Sequence, residues 1–364
     1  MKLKKLIDTL EAFAPVSLQE SYDNSGLIVG SPELPLKKVL FCLDSTEEVI
    51  DEAIKVGANV VVAHHPIVFS GLKSLTGKNY IERTIIKAIK NDVAIYAIHT
   101  NLDNVAEGVN KELAKKIGLV NPRILSPKRG ELKKLVFFCP VADAERVRQA
   151  IFEAGAGEIG NYDCCAFQVK GTGSFRGGEE SSPYVGEKGK IHFEEEVRVE
   201  TILPKYLERK VIPAMLNAHP YEEVAFDLYD LAIPLSSVGS GMIGELKEPM
   251  EAVDFLKHLK KVLKAEGIRH TKLLKEKIKT IAICGGSGSF LLEVAKAAKA
   301  DVFITGDFKY HQFFDADGEI VIADVGHYES EQYTVDLLYH YVLGKLPNLD
   351  VAMTSINTNP INYF

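Results

Sequence analysis

Two adjacent histidines follow an apolar stretch early in the chain, and paired imidazoles are candidate ligands for a divalent metal ion. Residues Asn59 to Ala63 form a short β-branched run, which is typical of a strand buried on both faces. His64 and His65 end this run, and Pro66 prevents the strand from simply continuing. The strand end is the usual place for a site in a parallel α/β sheet. A pair of hydrogen-bonded histidines that only caps the strand is the alternative interpretation.

A second apolar strand ends close to further polar side chains. Val93 to Ile98 is followed by the sequence HTNLD, which places His99 and Asp103 just after the strand. The β-α-β order predicts parallel strands, so both strand ends should open on the same edge of the sheet. Asp103 is either the N-cap of a helix that begins near Val105 or a carboxylate that faces the histidine pair.

A third group lies in the sequence GHYESE, after a predicted strand over residues 319–323. We predict one long amphipathic helix from His327 to about Leu343. His327 and Glu331 are four residues apart and should project from one face of this helix, as a half-site for a divalent ion requires. The alternative is a solvated first turn in which the helix dipole favours Glu331. That alternative does not explain His327, because a positive charge at a helix start is unfavourable.

Five side chains are thus expected at the strand ends of one open sheet, and we predict that they bind metal: His64, His65, Asp103, His327 and Glu331. They are too many for one closed tetrahedral ion and suit two divalent ions about 3.5–4 Å apart, bridged by one carboxylate. Two such ions against two carboxylates leave a local charge of about +2, which acidifies water and attracts an anionic substrate. The mixed nitrogen and oxygen ligands allow Zn, Mn, Fe or Co.

Other residues near predicted strand ends could assist this chemistry. His99 and His311 are the spare imidazoles, and either could give a proton to a leaving group or orient a ligand. The glycine-rich sequence GGSGS, Gly285 to Ser289, is either a phosphate-binding turn or only a tight connection between a strand and a helix.

Composition narrows the class of protein. The chain has 364 residues, is 46% hydrophobic and carries a net charge of −7, which indicates a globular protein of two to three domains without general attraction to nucleic acid. Five scattered cysteines form no CxxC pair, which fits a reducing cytoplasm. No apolar run approaches the ~18 residues that a membrane span requires, and the basic N-terminal stretch has the spacing of an amphipathic helix. We therefore expect a cytoplasmic protein without a membrane segment.

The predicted elements indicate a core interrupted by an insert. Residues 1–130 and 238–364 read as a three-layer α/β core with open, mostly parallel sheets. Residues 131–237 show the order β-α-β-β-α-β, which predicts a ferredoxin-like α+β domain. The insert contains the sequence AHPYEE, residues 218–223, which we interpret mainly as a turn into an edge strand. A subunit contact or a small-ligand site is the alternative.

Several of these motifs together resemble one known family over essentially the whole chain. They are HHP after a strand, HTNLD, GHYESE, the opening YDNSGL and the insert with AHPYEE. The family is the dinuclear-metal-centre family related to NGG-interacting factor, whose bacterial members carry the name GTP cyclohydrolase 1 type 2 homologue. Its ligand positions match His64, His65, Asp103, His327 and Glu331. Tyr22 departs from the family, which often has Trp there.

The resemblance implies a fold, an assembly and an activity. It implies a PII-like insert, two divalent ions per chain (Zn, Fe or Mn), and a homohexamer built from trimers. It also implies a metal-dependent hydrolase that acts on a small anionic substrate, with GTP or another nucleotide as the first candidate. A metal-dependent regulatory scaffold, in which the insert senses a metabolite, is the alternative of a different class.

Overall fold

The computed structural model describes residues 1–364 and divides into two compact units. The first unit comprises Met1–Pro127 and Ser237–Phe364, and the second comprises Lys128–Ser236. The mixed α/β fold class expected from the sequence is confirmed. The PII-like identity of the insert stays a prediction.

The helices and strands are numbered along the whole chain. The helices are α1 (Leu3–Phe13), α2 (Glu47–Lys55), α3 (Tyr80–Lys90), α4 (Thr100–Asp103), α5 (Val109–Ile117), α6 (Ala144–Glu153), α7 (Glu208–Ala218), α8 (Ala252–Val262), α9 (Leu292–Ala297), α10 (His327–Glu331) and α11 (Thr334–Lys345). The strands are β1 (Gly26–Val29), β2 (Lys38–Asp44), β3 (Val60–His65), β4 (Ala94–Ala97), β5 (Leu119–Lys128), β6 (Leu132–Pro140), β7 (Ala166–Arg176), β8 (Ile191–Pro204), β9 (Phe226–Asp230), β10 (Leu235–Glu251), β11 (Arg269–His270), β12 (Lys277–Ser287), β13 (Val302–Gly306), β14 (Val321–Asp324) and β15 (Asp350–Met353).

The first unit contains two sheets, each covered by helices on both faces. The five-stranded sheet has the order β1-β4-β3-β2-β15, and its strands are parallel except for β1. Because side chains alternate along a strand, Val60 and Val62 pack with α1 and α11, whereas Val61 and Ala63 pack with α2 and α3. Burial on both faces explains why β3 is apolar throughout.

The six-stranded sheet has the order β11-β14-β13-β12-β10-β5. Its three central strands, β12, β13 and β14, are parallel. Phe303 points to the face that packs on α9, and Ile304 points to the face that packs on α5 and α8. The expectation that all candidate ligands follow strands of one sheet is therefore wrong. The histidine pair ends β3 of the five-stranded sheet, whereas His327 follows β14 of the six-stranded sheet.

The second unit is a four-stranded antiparallel sheet of order β7-β8-β6-β9 with helices α6 and α7. The chain order of its elements is β-α-β-β-α-β, as the sequence predicts. Its core contains Leu135 and Phe137 of β6, Val199 of β8, and Val147 and Val211 of the two helices.

One local expectation needs correction, and two other local features are added to it. The predicted helix from His327 is two helices, α10 and α11, because the helix is interrupted at Gln332 and Tyr333. Helix α2 is capped by Thr46, whose hydroxyl accepts from the backbone N–H of Val49. The glycine-rich stretch after residue 238 belongs to β10, a strand of 17 residues. None of the helices has the length and apolar character needed to span a membrane.

Candidate metal centre

The two strand-end histidines have fixed ring orientations. Nδ1 of His64 donates to the carbonyl of Ile98 at 2.8 Å, and Nδ1 of His65 donates to Asp44 Oδ1 at 2.7 Å. These partners assign the proton of each neutral ring to Nδ1, which leaves the Nε2 lone pair as a ligand. Both rings turn into one crevice, and their centroids are 4.9 Å apart.

Asp103 ends the short helix α4, and its carboxylate faces His64. Oδ1 of Asp103 lies 3.7 Å from Nε2 of His64. Both atoms are buried without a hydrogen-bond partner. Since burial of an unpaired polar atom is costly, two such acceptors facing each other indicate a place for a cation. The N-cap alternative for Asp103 is wrong, because no helix begins until Val109.

Helix α10 brings His327 and Glu331 to the same crevice. Nδ1 of His327 donates to Asp307 Oδ2 at 2.7 Å, which again frees Nε2. Glu331 Oε2 lies 3.0 Å from Nε2 of His327 and 2.9 Å from Nε2 of His65. Glu331 Oε1 lies 3.8 Å from Nε2 of His64.

The five predicted ligands therefore meet as two groups that share one carboxylate. We call His64 Nε2, Asp103 Oδ1 and Glu331 Oε1 the inner half, and His65 Nε2, His327 Nε2 and Glu331 Oε2 the outer half. The ligand atoms within each half lie within 4.8 Å of one another. Three donors in each half fit a divalent ion that keeps open positions, as hydrolytic metal sites do.

The glycine-rich turn does not have the role of a phosphate cradle. The N–H of Gly285 donates to Asn110, that of Gly286 to Ser330, and that of Gly288 to Thr305. Their N–H groups are therefore already used within the protein. Gly286 is needed for another reason: its φ is +62°, and a Cβ there would lie 2.3 Å from Glu331 Oε1. The turn makes room for Glu331.

Charge interactions shift the protonation of the metal-free centre. Burial alone would lower the pKa of both outer histidines, but their carboxylate partners raise it to about 9 for His65 and about 11 for His327. Burial and the negative charge of Glu331 raise the pKa of Asp103 to about 7. Burial opposes ionisation of Glu331, yet the adjacent His327 and the other imidazoles hold its pKa well below the usual value.

The spare imidazoles lie in different places. His99 lines the cavity, its ring packs against His64 and His65, and its Nδ1 bonds to Asp23 Oδ1 at 2.7 Å. His311 is exposed, contacts the rings of Tyr310 and Phe314, and does not line the cavity.

The centre opens into a cavity of about 580 Å³, which is large enough for a small ligand. Exposed aromatic rings line it, namely those of Tyr22, Phe69 and Phe290. No Lys or Arg side chain lines it. A planar ring could pack against such a wall.

The expected local charge needs correction as well. Asp23, Asp44 and Asp307 bond to the far sides of imidazole rings, and hydrogen bonds from those rings lower the pKa of all three. With these carboxylates counted, two bound divalent ions leave about −1 rather than about +2. The sequence analysis did not assign these three residues to the centre. A usable signal existed for Asp44 and Asp307, because each is a carboxylate at the end of a buried strand.

The AHPYEE stretch has a structural role in the second unit. His219 Nε2 donates to the carbonyl of Phe138 at 2.8 Å, and its Nδ1 accepts from the N–H of Tyr221 at 3.1 Å. Both ring nitrogens are thus occupied by backbone. The hydroxyl of Tyr221 donates to Glu196 at 3.0 Å.

The model of one protein family, described as Duf34/NIF3 (NGG1p interacting factor 3), matches residues 1–360. The chain belongs to the Duf34/NIF3 family. The resemblance noted in the sequence is thereby confirmed.

Relatives of this Duf34/NIF3 chain match it over nearly their whole length. It is 40% identical to the GTP cyclohydrolase 1 type 2 homolog of Halalkalibacterium halodurans, over 98% of each chain. It is 36% identical to the protein of that name from Bacillus subtilis, over 99% of this chain and 98% of the relative. A crystal structure of a Bacillus cereus protein related to NIF3 has a TM-score of 0.88 and 41% identity, with 100% of this chain and 99% of the other covered.

Proposed function

We propose that this Duf34/NIF3 protein binds two divalent metal ions per chain and uses them to hydrolyse a small anionic molecule. The observation that carries the proposal is the position of Glu331. Its two carboxylate oxygens face separate donor groups, the inner half and the outer half. A bridging carboxylate between two three-donor groups is the arrangement of a dinuclear hydrolytic site. Zn, Fe or Mn suits these nitrogen and oxygen ligands.

Such a metal pair supplies Lewis acidity and activates water at neutral pH. The protein's own residues supply the positioning. Asp44 and Asp307 hold His65 and His327 in the orientation that presents Nε2. Because Asp23 occupies Nδ1 of His99, Nε2 of His99 is the nitrogen left for proton exchange with substrate. His99 is therefore our candidate for the proton donor, and the exposed His311 is not.

The cavity favours a substrate with a planar ring. Tyr22, Phe69 and Phe290 offer aromatic surface at the mouth. No Lys or Arg lines the cavity, and the surrounding carboxylates outweigh the charge of two bound divalent ions, so a phosphate group would have to be held by direct bonds to those ions. The name of the relatives makes GTP the first substrate to test.

The test follows formate release and phosphate release from GTP, GMP and guanosine, with Mn²⁺, Zn²⁺ or Fe²⁺ added to metal-free protein. We expect turnover that is lost in His64→Ala and retained in His258→Ala, a control in which the ring bonds only to the carbonyl of Ile117. Two bound ions without turnover of any nucleotide, base or amide in a wider panel would reject the hydrolase and favour the metal-dependent regulatory scaffold.

We also propose that residues 131–237 are an inserted domain that the metal centre does not need. The insert leaves the first unit after Pro127 and re-enters it at Ser237. A Cβ on Gly239 would lie 2.8 Å from Cα of Pro127, so these exit and re-entry points are close together. A short Gly/Ser linker in place of the insert should leave a soluble protein that binds two ions. Insoluble protein, or loss of an ion, would contradict this proposal. The hexamer built from trimers and the cytoplasmic location stay predictions, and light scattering of the purified protein measures the assembly.

A further inference from the structure

The segment that follows β15 reaches the metal centre, although nothing in its sequence resembles a ligand motif. Strand β15 pairs in parallel with β2, so both strands end at the same edge of the sheet. Strand β2 ends at Asp44, the hydrogen-bond partner of His65. The chain that leaves β15 at Met353 therefore runs past Asp44.

This segment is held at three carboxylates along its path. Glu52 accepts from the hydroxyl of Thr354 and, at 2.9 Å, from the N–H of Ser355. Further along, the hydroxyl of Thr358 donates to Asp44 Oδ2 at 2.6 Å. The Asn359 amide then donates to Glu329 Oε1 at 3.1 Å.

The two oxygens of Asp44 have different partners. Oδ1 accepts from Nδ1 of His65, and Oδ2 accepts from Thr358. A carboxylate bonded through both oxygens has a defined rotation, and it passes that orientation to the ring it holds. Next to Thr358, the residues Asn359, Pro360 and Ile361 form part of the cavity wall.

We propose that Thr358 is a positioning residue of the metal centre, which fixes Asp44 and thereby orients His65 toward the outer ion. The inference rests on the proposed function, because it requires that the outer half binds metal. It predicts an effect on one half only, since the inner half receives no bond from this segment or from Asp44. The inner imidazole, His64, is instead held by the carbonyl of Ile98.

The test is a titration of metal-free protein with Zn²⁺ against a chromophoric chelator, which resolves two binding steps. His65→Ala identifies the outer step. Removal of an outer-sphere partner typically costs about 10–100-fold in metal affinity. Thr358 lies one bond further from the ion, so we expect Thr358→Val to weaken the outer step by about tenfold and to leave the inner step within about twofold. Thr358→Ser keeps the hydroxyl and should restore wild-type affinity.

The matched control is Thr354→Val, which removes a hydroxyl bonded to Glu52 in the same segment but outside the cavity. It should leave both steps unchanged. On an Asp44→Asn background, Thr358→Val should add less than about twofold, because both changes act through one group. This double-mutant cycle distinguishes positioning of Asp44 from a general loosening of the segment. Circular dichroism and the unfolding temperature measure any such loosening directly.

Three results would overturn the inference while leaving two metal sites in place. The first is an outer Zn²⁺ affinity that is the same in Thr358→Val as in Thr354→Val. The second is equal weakening of the inner and outer binding steps by Thr358→Val. The third is additivity of the effects of Thr358→Val and Asp44→Asn. Wild-type protein that takes up no ion would instead overturn the proposed function itself.

Discussion

The inner and outer halves of the candidate centre both combine imidazole and carboxylate groups, but the inner half has one imidazole, the outer half has two, and their imidazoles are supported differently. His64 of the inner half is fully buried and bonds to a backbone carbonyl. His65 and His327 of the outer half have side chains that are 20% and 34% exposed, and each bonds to a carboxylate. The buried Nε2 of His64 and Oδ1 of Asp103 have no partner in the protein, whereas the outer imidazoles already contact Glu331.

This difference indicates that metal binding competes with protonation of the side chains to a different degree in each half. Carboxylate partners make an imidazole a stronger ligand, but they also stabilise its protonated form. The outer histidines have a raised pKa for this reason. A carbonyl partner orients His64 without adding charge. We therefore expect an inner ion that binds first near neutral pH and an outer ion that exchanges more readily.

The largest effect on metal affinity is expected from a change of Glu331, the residue that both halves share. Glu331→Gln keeps the shape of the side chain but removes its charge, so both ions should bind more than about 100-fold more weakly, beyond the 10–100-fold of outer-sphere changes. Elemental analysis and Zn²⁺ titration measure this. Glu329→Gln is the control, because Glu329 is a buried carboxylate on the same helix that lies in neither half. Loss of only one ion would mean that Glu331 is a terminal ligand.

Removing one imidazole at a time should separate the halves. His64→Ala should abolish the inner step and His65→Ala the outer step, each leaving the other step measurable. Because His64 is fully buried, His64→Ala should also lower the free energy of unfolding of metal-free protein by about 1–3 kcal/mol, more than His65→Ala does. Denaturant unfolding measures this difference. Equal losses of both ions in both variants would show that the halves act as one cooperative unit.

The two halves should also differ in how their metal affinity depends on pH. At pH 7 both outer histidines of the metal-free protein are protonated, since their pKa values are about 9 and about 11. Asp103, with a pKa of about 7, holds a proton only below that pH. The outer affinity should therefore rise by up to about 100-fold per pH unit from pH 6 to pH 8, and the inner affinity by about tenfold per unit only below pH 7. Mn²⁺ titrations across this range measure both slopes, and equal slopes would contradict the distinction.

The raised pKa of His65 also affects the stability of the metal-free protein. A rise in pH, which favours metal binding, lowers this stability. The pKa of His65 is raised from 6.5 to about 9 on folding. Its contribution to stability is therefore complete below pH 6.5 and is lost as the pH rises through 9. Added metal should cancel this loss, because it replaces the proton.

Much of the centre could be predicted from the sequence because its signals are local. A buried strand followed by a turn is written in a few consecutive residues, as in the stretch from Val60 to Pro66. Helical spacing likewise placed His327 and Glu331 on one face. The candidate ligands, the α/β class and the insert order β-α-β-β-α-β follow from such short patterns, and so does the family resemblance.

The tertiary structure decided which of these local signals meet. His65 and Glu331 are 266 positions apart. His65 ends β3 of the five-stranded sheet, whereas Glu331 lies on α10, which follows β14 of the six-stranded sheet, so their contact depends on the helices that pack between those sheets. In the folded protein the glycine-rich turn leaves space for the Glu331 side chain instead of binding phosphate. Asp44 and Thr358 meet only because β15 pairs with β2. Sequence periodicity reports the environment of neighbouring residues, whereas these contacts depend on side chains that the fold brings together from distant positions.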